Sequence, residues 1–160
     1  MIRDITINDA AKICDIYNYY IVNTIVTFEE SKVSETEMML RIEETTKKLP
    51  WIVFEKGEEI LGYACASQWK SRCAYKYSLE STVYLKRGAE GDGIGSQLYG
   101  QLIDRIRNKN YHAVIGGISL PNTASIALHE KFGFEKIAHF KEVGYKFDKW
   151  IDVGYWELIL

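Results

Sequence analysis

The chain is poor in cysteine, with three in 160 residues: Cys14, Cys65 and Cys73. They form neither an even set nor a metal-ligand spacing, which excludes a disulfide framework and a zinc-type site. Cys14 and Cys65 read instead as small core residues in a reducing cytoplasm. Long hydrophobic runs are also missing. No stretch approaches a membrane span, and Met1-Ile2-Arg3-Asp4 lacks a signal peptide's apolar segment. Neither charge sign dominates: 20 basic and 22 acidic side chains leave a net charge of −2. A nucleic-acid groove needs a basic patch that this balance does not supply. Linkers, repeats and low-complexity segments are absent, so residues 1–160 read as a single domain with one sizeable core.

Aromatic side chains, by contrast, are plentiful: eleven tyrosines and four tryptophans. Core filling is the default account, with a ligand cleft or a subunit interface as the alternatives.

Hydrophobic periodicity orders the elements. Ile2 to Ile7 reads as a strand. Asn8 or Asp9 then caps a helix with apolar positions at Ala10, Ile13, Ile16 or Tyr17, and Tyr20. Thr24 to Glu30 is a loop. Ser34-Glu35-Thr36-Glu37 has the form of a capping box for a helix through Met38, Leu40 and Ile42, and Pro50 ends that region. Trp51 to Phe54 and Ile60 to Ser67 form a hairpin across Lys56-Gly57-Glu58-Glu59. Tyr77 to Leu85 is the next strand. Ala113 to Leu120 is apolar throughout, which predicts burial on both faces. Asn122 or Thr123 caps a short helix ended by Gly133. Strands near Glu135 to Val143 and Val153 to Leu160 close the chain. The order β-α-α-β-β-β-α-β-α-β-β predicts an α/β (α+β) domain, a mixed sheet with helices on both sides.

One segment carries more information than the rest. Strand Val83-Tyr84-Leu85 runs through Glu90-Gly91-Asp92-Gly93-Ile94-Gly95-Ser96 into a helix whose buried face is Ile94, Leu98, Leu102 and Ile106. Such a turn either merely connects strand to helix or aims free N–H groups and a helix dipole at an anion. No Lys-Ser or Lys-Thr follows the last glycine, which excludes an ATP-type P-loop, and glycines two apart depart from the dinucleotide fingerprint.

From this loop onward the chain resembles the GNAT superfamily of N-acetyltransferases. Five ordered segments resemble its phosphinothricin N-acetyltransferase family more closely: Lys70-Ser71-Arg72-Cys73-Ala74-Tyr75, Glu80-Ser81-Thr82-Val83-Tyr84, Leu120-Pro121-Asn122, Leu128-His129-Glu130, and Gly144-Tyr145-Lys146 with Trp150-Ile151-Asp152-Val153-Gly154-Tyr155-Trp156. The resemblance runs from about Ile2 to Tyr155. It implies the GNAT fold, a mostly antiparallel sheet with splayed central strands, and acetyl-CoA as cosubstrate with no metal. It also implies that Val83, Tyr84, Leu85, residues Glu90 to Ser96, Asn122 and Ser125 hold the cofactor.

Acetyl transfer needs a base for an ammonium and an acid for a departing thiolate. Glu80 lies in an otherwise apolar, β-branched strand. By pattern alone it faces either solvent or a site where burial raises its pKa; the resemblance makes it the base. His129, on the short helix, either packs there or acts. In the resemblance it either protonates the thiolate or assists Glu80. Asn122 and Ser125 suit helix capping, and the resemblance adds cofactor contact. Arg72 can grip an anionic acceptor in a two-pronged contact, and the resemblance places Arg72, Lys70, Tyr75 and Phe28 at the acceptor pocket. Glu90 and Asp92 depart from the family's glutamine- or arginine-led loop and should weaken diphosphate binding unless they point away. Lys86 and Arg87 are candidates to restore positive potential.

The sequence reading is therefore a cytoplasmic N-acetyltransferase for a small amino acid-like amine, of phosphinothricin, methionine sulfone or methionine sulfoximine type. Direct transfer is expected, because Cys14 and Cys65 look buried and Cys73 has no histidine partner. Rival readings are acetylation of a polyamine or protein N-terminus, and a non-catalytic acyl-CoA-binding domain. The family and the aromatic C-terminal segment imply a homodimer.

Overall fold

The computed structural model describes residues 1–160. Its strands are β1 (Ile2–Asp4), β2 (Trp51–Lys56), β3 (Glu59–Gln68), β4 (Ser78–Leu85), β5 (Ala113–Ser119), β6 (Glu135–Lys146) and β7 (Lys149–Ile159). Its helices are α1 (Ala10–Asn23), α2 (Glu35–Thr46), α3 (Ile94–Arg107) and α4 (Thr123–Lys131). The strands form one seven-stranded sheet in the order β1-β2-β3-β4-β5-β7-β6. Every pairing is antiparallel except β4 with β5. The order of α and β elements is the one expected from the sequence.

Alternation along the strands divides the core in two. Ile52, Ala64, Ala66 and Leu79 face α3, where Ile94, Leu98, Leu102 and Ile106 are all buried. Trp51, Val53 and Tyr63 face the other way, toward Ile13, Ile16, Met38 and Ile42 of α1 and α2. Each fully buried aliphatic side chain contributes about 1.5–3 kcal/mol relative to exposure.

The feature that positions the site is a wedge. β4 and β5 pair only at Ser78↔Ala113, Leu79↔Val114 and Glu80↔Ile115. Beyond that point β4 continues to Leu85 along β3, and β5 continues to Ser119 along β7. The two strands separate with their inner edges unpaired. At the apex the Ser81 hydroxyl sits 3.4 Å from the Ile115 carbonyl and 2.7 Å from the buried Tyr99 hydroxyl. The carbonyl only accepts, so Ser81 donates to it and Tyr99 donates to Ser81.

Several local expectations are corrected. β1 ends at Asp4, and Ile7–Asp9 forms a 3-10 turn. Asp9 does not cap α1 with its side chain. Its carboxylate accepts from the Thr6 N–H at 2.7 Å and pairs with Arg3 at 2.8 Å, which lowers its pKa to about 2. Ser34 caps α2, accepting from Glu37 N at 3.2 Å. β6 and β7 are longer than the pattern implied. They meet at a tight turn in which Phe147 and Asp148 both have positive φ, 53° and 56°. A bulge between Phe140 and Gly144 breaks the alternation of β6, and the Glu142 N–H donates to Asp152 Oδ1 there at 2.8 Å. Core filling accounts for Trp51, Tyr63, Tyr84, Tyr99 and Trp156, which are buried, but not for Phe140, Tyr145, Phe147 and Trp150, which are exposed on this hairpin. Cys14 is buried, whereas Cys65 is only partly so.

Candidate active site

Two cavities meet at the wedge, sharing Val26, Val83, Tyr84 and Ser125. The first is a groove of about 530 Å³ that follows the glycine loop. Its walls include Tyr20, Leu85, Glu90, Gly91, Gly93, Ile94, Gly95, Ser96, Asn122 and Lys131. Gly93 has φ +75° and caps α3 with no side chain, leaving the first-turn N–H groups of that helix free of a side-chain cap. The loop thus has the cradle geometry expected of it.

Eleven of the twelve residues expected to hold the cofactor line this groove; Asp92 is the exception. It borders a separate depression with Met1, Phe54 and Gln97. Glu90 stays within the groove, but its carboxylate is turned into its own loop, accepting from the Gly88 N–H at 2.7 Å. Lys86 and Arg87 do not supply the compensating charge. Lys86 pairs with Glu59, and Arg87 lies over the Tyr19 ring at 5.7 Å. The cation in the groove is Lys131, whose Nζ donates to Ser96 Oγ at 3.0 Å. Sequence reading missed it because lysine late in a helix is ordinary.

The second cavity, about 400 Å³, is lined by Glu80, His129, Thr27, Phe28, Gly117, Ser119, Val143, Val153 and Tyr155 among others. Glu80 is partly buried and makes no hydrogen bond or ion pair with the protein. Burial alone raises its pKa. His129 is buried at 4% exposure. Its Nδ1 lies 2.7 Å from the Ser125 carbonyl, while Nε2 is buried without a partner. A carbonyl only accepts, so Nδ1 carries the proton. Burial pushes the ring's pKa down, against the pull of that hydrogen bond, so Nε2 bears a lone pair at neutral pH. Ser119 Oγ is likewise buried and unpartnered. Unsatisfied polar atoms that line a cavity are where a ligand's polar groups complete the hydrogen bonding.

Glu80 and His129 reach the cavity from opposite faces of the sheet, separated by β5. A Cβ on Gly116 would overlap the His129 ring. A Cβ on Gly117 would stand 3.1 Å from Tyr155 Cε1 and 3.3 Å from Glu80 Oε1. The adjacent glycines admit one side chain to each face. A Gly-Gly pair inside an apolar strand was the unread signal of such close approach. Asn122 caps α4, its Oδ1 accepting from Ser125 N at 3.1 Å, and it also lines the groove.

Phe28 lines this cavity. Lys70, Arg72 and Tyr75 do not. They lie in the exposed segment between β3 and β4. Trp69, at its start, meets the cavity residue Tyr155 edge to face at 5.6 Å. Tyr155 itself was not singled out from the sequence.

A glycine cradle thus lies beside a wedge between parallel strands, with a carboxylate and an imidazole at its apex. The acetyltransferase (GNAT) domain family matches residues 2–154, and the chain belongs to it. A phosphinothricin N-acetyltransferase of Streptomyces viridochromogenes is 36% identical over 98% of this chain and 85% of that protein. The L-methionine sulfoximine/L-methionine sulfone acetyltransferase of Salmonella typhimurium is 34% identical over 95% and 90%. A GNAT superfamily phosphinothricin acetyltransferase from Sinorhizobium meliloti, solved in complex with AcCoA, superposes with a TM-score of 0.96 at 33% identity, covering 100% of this chain and 88% of that one. The chain is therefore an enzyme, an acetyl-CoA-dependent N-acetyltransferase.

Proposed function

We propose that the acceptor is the primary amine of a small amino acid-like molecule, of the phosphinothricin or methionine sulfone/sulfoximine type. The observation that carries this reading is the unpaired, half-sheltered Glu80 carboxylate in a cavity continuous with the glycine groove. In this reading the groove residues, Lys131 among them, hold acetyl-CoA with its thioester in the wedge. Over the reaction two protons leave the acceptor's ammonium nitrogen and one goes to the departing sulfur. Glu80 takes the first, burial having made its carboxylate more basic than an ordinary one. His129 Nε2, bearing a lone pair, takes up a proton before it can give one, so the ring assists deprotonation and can then return that proton to the thiolate. In this reading Lys70, Arg72 and Tyr75, outside the cavity lining, supply charge and polarity for the acceptor's anionic groups from the exposed segment that begins at Trp69. The test is thiol release from acetyl-CoA against a panel of amino acid analogues, polyamines and peptides. Turnover confined to polyamines or peptides defeats the acceptor assignment.

The same reading includes a homodimer, formed through the edge hairpin β6–β7. Ile137, Phe140, Val143, Tyr145, Phe147 and Trp150 are all exposed there, a patch that an isolated chain rarely leaves open. Trp150→Glu should convert a sedimenting dimer to monomer; a wild-type monomer at micromolar concentration defeats this part. Cytoplasmic location belongs to the proposal too, supported by three free thiols and tested by fractionation. No helix is long and apolar enough to cross a membrane.

A further inference from the structure

Lys146 is a buried lysine with no carboxylate partner. It is 3% exposed, at the end of β6. Its Nζ donates to the Thr27 carbonyl at 2.7 Å and lies 5.1 Å from the centre of the Phe147 ring. Burial lowers its pKa, and the Glu30 carboxylate is the charge that acts against this. A buried ammonium without an ion pair is costly, and stability alone does not explain its place.

Its partner does. Thr27 sits in the loop at residues 26–28, whose side chains form one wall of the catalytic cavity. Two residues before Lys146, Gly144 packs against the Phe28 ring so closely that a Cβ there would overlap it. The loop's other side is tied to the helices: the Thr27 hydroxyl is 2.8 Å from the Tyr17 hydroxyl, and Glu29 pairs with Arg41 at 2.7 Å. The loop has no regular secondary structure of its own. It is clamped between α1 and α2 on one side and the end of β6 on the other.

We propose that Lys146 is a positioning residue for the acceptor. Through the Thr27 carbonyl, with Gly144 seating Phe28, it fixes the cavity wall against which the acceptor binds. This rests on the acceptor cavity assigned above. The contact runs through backbone, so the loop sequence can vary while the latch persists. The ammonium itself is absent from the cavity lining and acts only through the loop.

The test pairs two readouts on the whole chain. In Lys146→Met, which keeps length and loses the donor, amide exchange should quicken across residues 24–30 and stay unchanged in α3. The acceptor KM should rise about tenfold, the scale of one charge-assisted hydrogen bond, with the acetyl-CoA KM within about twofold. Lys146→Arg, which keeps the donor, should recover most of the acceptor KM. Gly144→Ala displaces Phe28 without touching the ammonium and should raise the acceptor KM alone, which covers the case of an unfolded Met variant. Unchanged exchange at residues 24–30 in Lys146→Met overturns the latch, whatever amine is acetylated. Faster exchange with an unmoved acceptor KM, or with both constants raised alike, overturns the acceptor role. If the wild-type chain turns over no amine, the acceptor role falls with the function, and exchange still decides the latch.

Discussion

The two arms of the wedge are built differently. The groove is largely one contiguous piece, strand to loop to helix over residues 83–96, closed along the length of α4 from Ala124 to Lys131. Its binding groups include backbone N–H groups and a helix terminus, which tolerate changes of side chain. The second cavity draws on the loop at 26–28, three strands at the sheet's centre, one edge strand and, through Ser125 and His129, α4. In the proposed reading a ligand common to many enzymes is thus met largely by backbone. The variable ligand is met, in that reading, by residues from distant parts of the chain, and apart from the shared Val26, Val83, Tyr84 and Ser125 these do not line the groove.

That separation can be broken by mutation. The largest effect should come from Glu80→Gln, which keeps shape and removes the proposed base. The turnover number should fall about 100- to 10,000-fold, with the acetyl-CoA KM within about twofold. Because burial raises Glu80, the acidic limb of kcat/KM should lie above the usual carboxylate value of about 4.3. Activity falls as pH drops through it, and the Gln variant should lose that limb. A comparable loss of cofactor affinity would show that the arms are not separable. Next, Gly93→Val forces a β-branched residue to φ +75°. The acetyl-CoA KM should rise about ten- to a hundredfold, leaving the acceptor KM alone; the reverse pattern would misassign the groove. Arg72→Ala should raise the KM of an anionic acceptor several-fold, at about the scale of one exposed charged contact. Equal damage to both constants would mark Arg72 as structural. The smallest effect is at Glu90. Gln can still accept from the Gly88 N–H, so Glu90→Gln should move CoA affinity less than about threefold, whereas Glu90→Ala should weaken it. Marked tightening by Glu90→Ala would mean that charge outweighs the loop contact.

Legibility followed the same division. Helix α3, its buried face and the glycine turn were readable because their signals are local: a 3.6 period and left-handed turn positions. The α4 cap at Asn122 was readable for the same reason. What escaped depends on partners outside an element's own periodicity. Asp9 looked like a helix cap, but Arg3 and Thr6 claim its carboxylate. Two irregularities hid the length of β6: one extra residue between Lys136 and Ala138 reverses the alternation that marks a strand, and two more between Phe140 and Gly144 interrupt it. Tyr155 and Ser119 are ordinary strand residues until β4 and β5 part. Lys131 announces nothing until α4 swings it to Ser96. The resemblance supplied Glu80 and His129 as a pair, but only the fold puts them on opposite faces.

The paired glycines of β5 also set a limit on engineering. A common route to a tougher protein replaces strand glycines with alanine, gaining roughly 0.5–1 kcal/mol at each site where the backbone permits. Gly116 and Gly117 look like ideal targets: neither has a positive φ, and both lie mid-strand. Yet a single methyl group would displace the imidazole at one and crowd the carboxylate at the other. Heat resistance sought there would be gained at the expense of the chemistry, so hardening of this chain has to begin at its outer strands and helix surfaces.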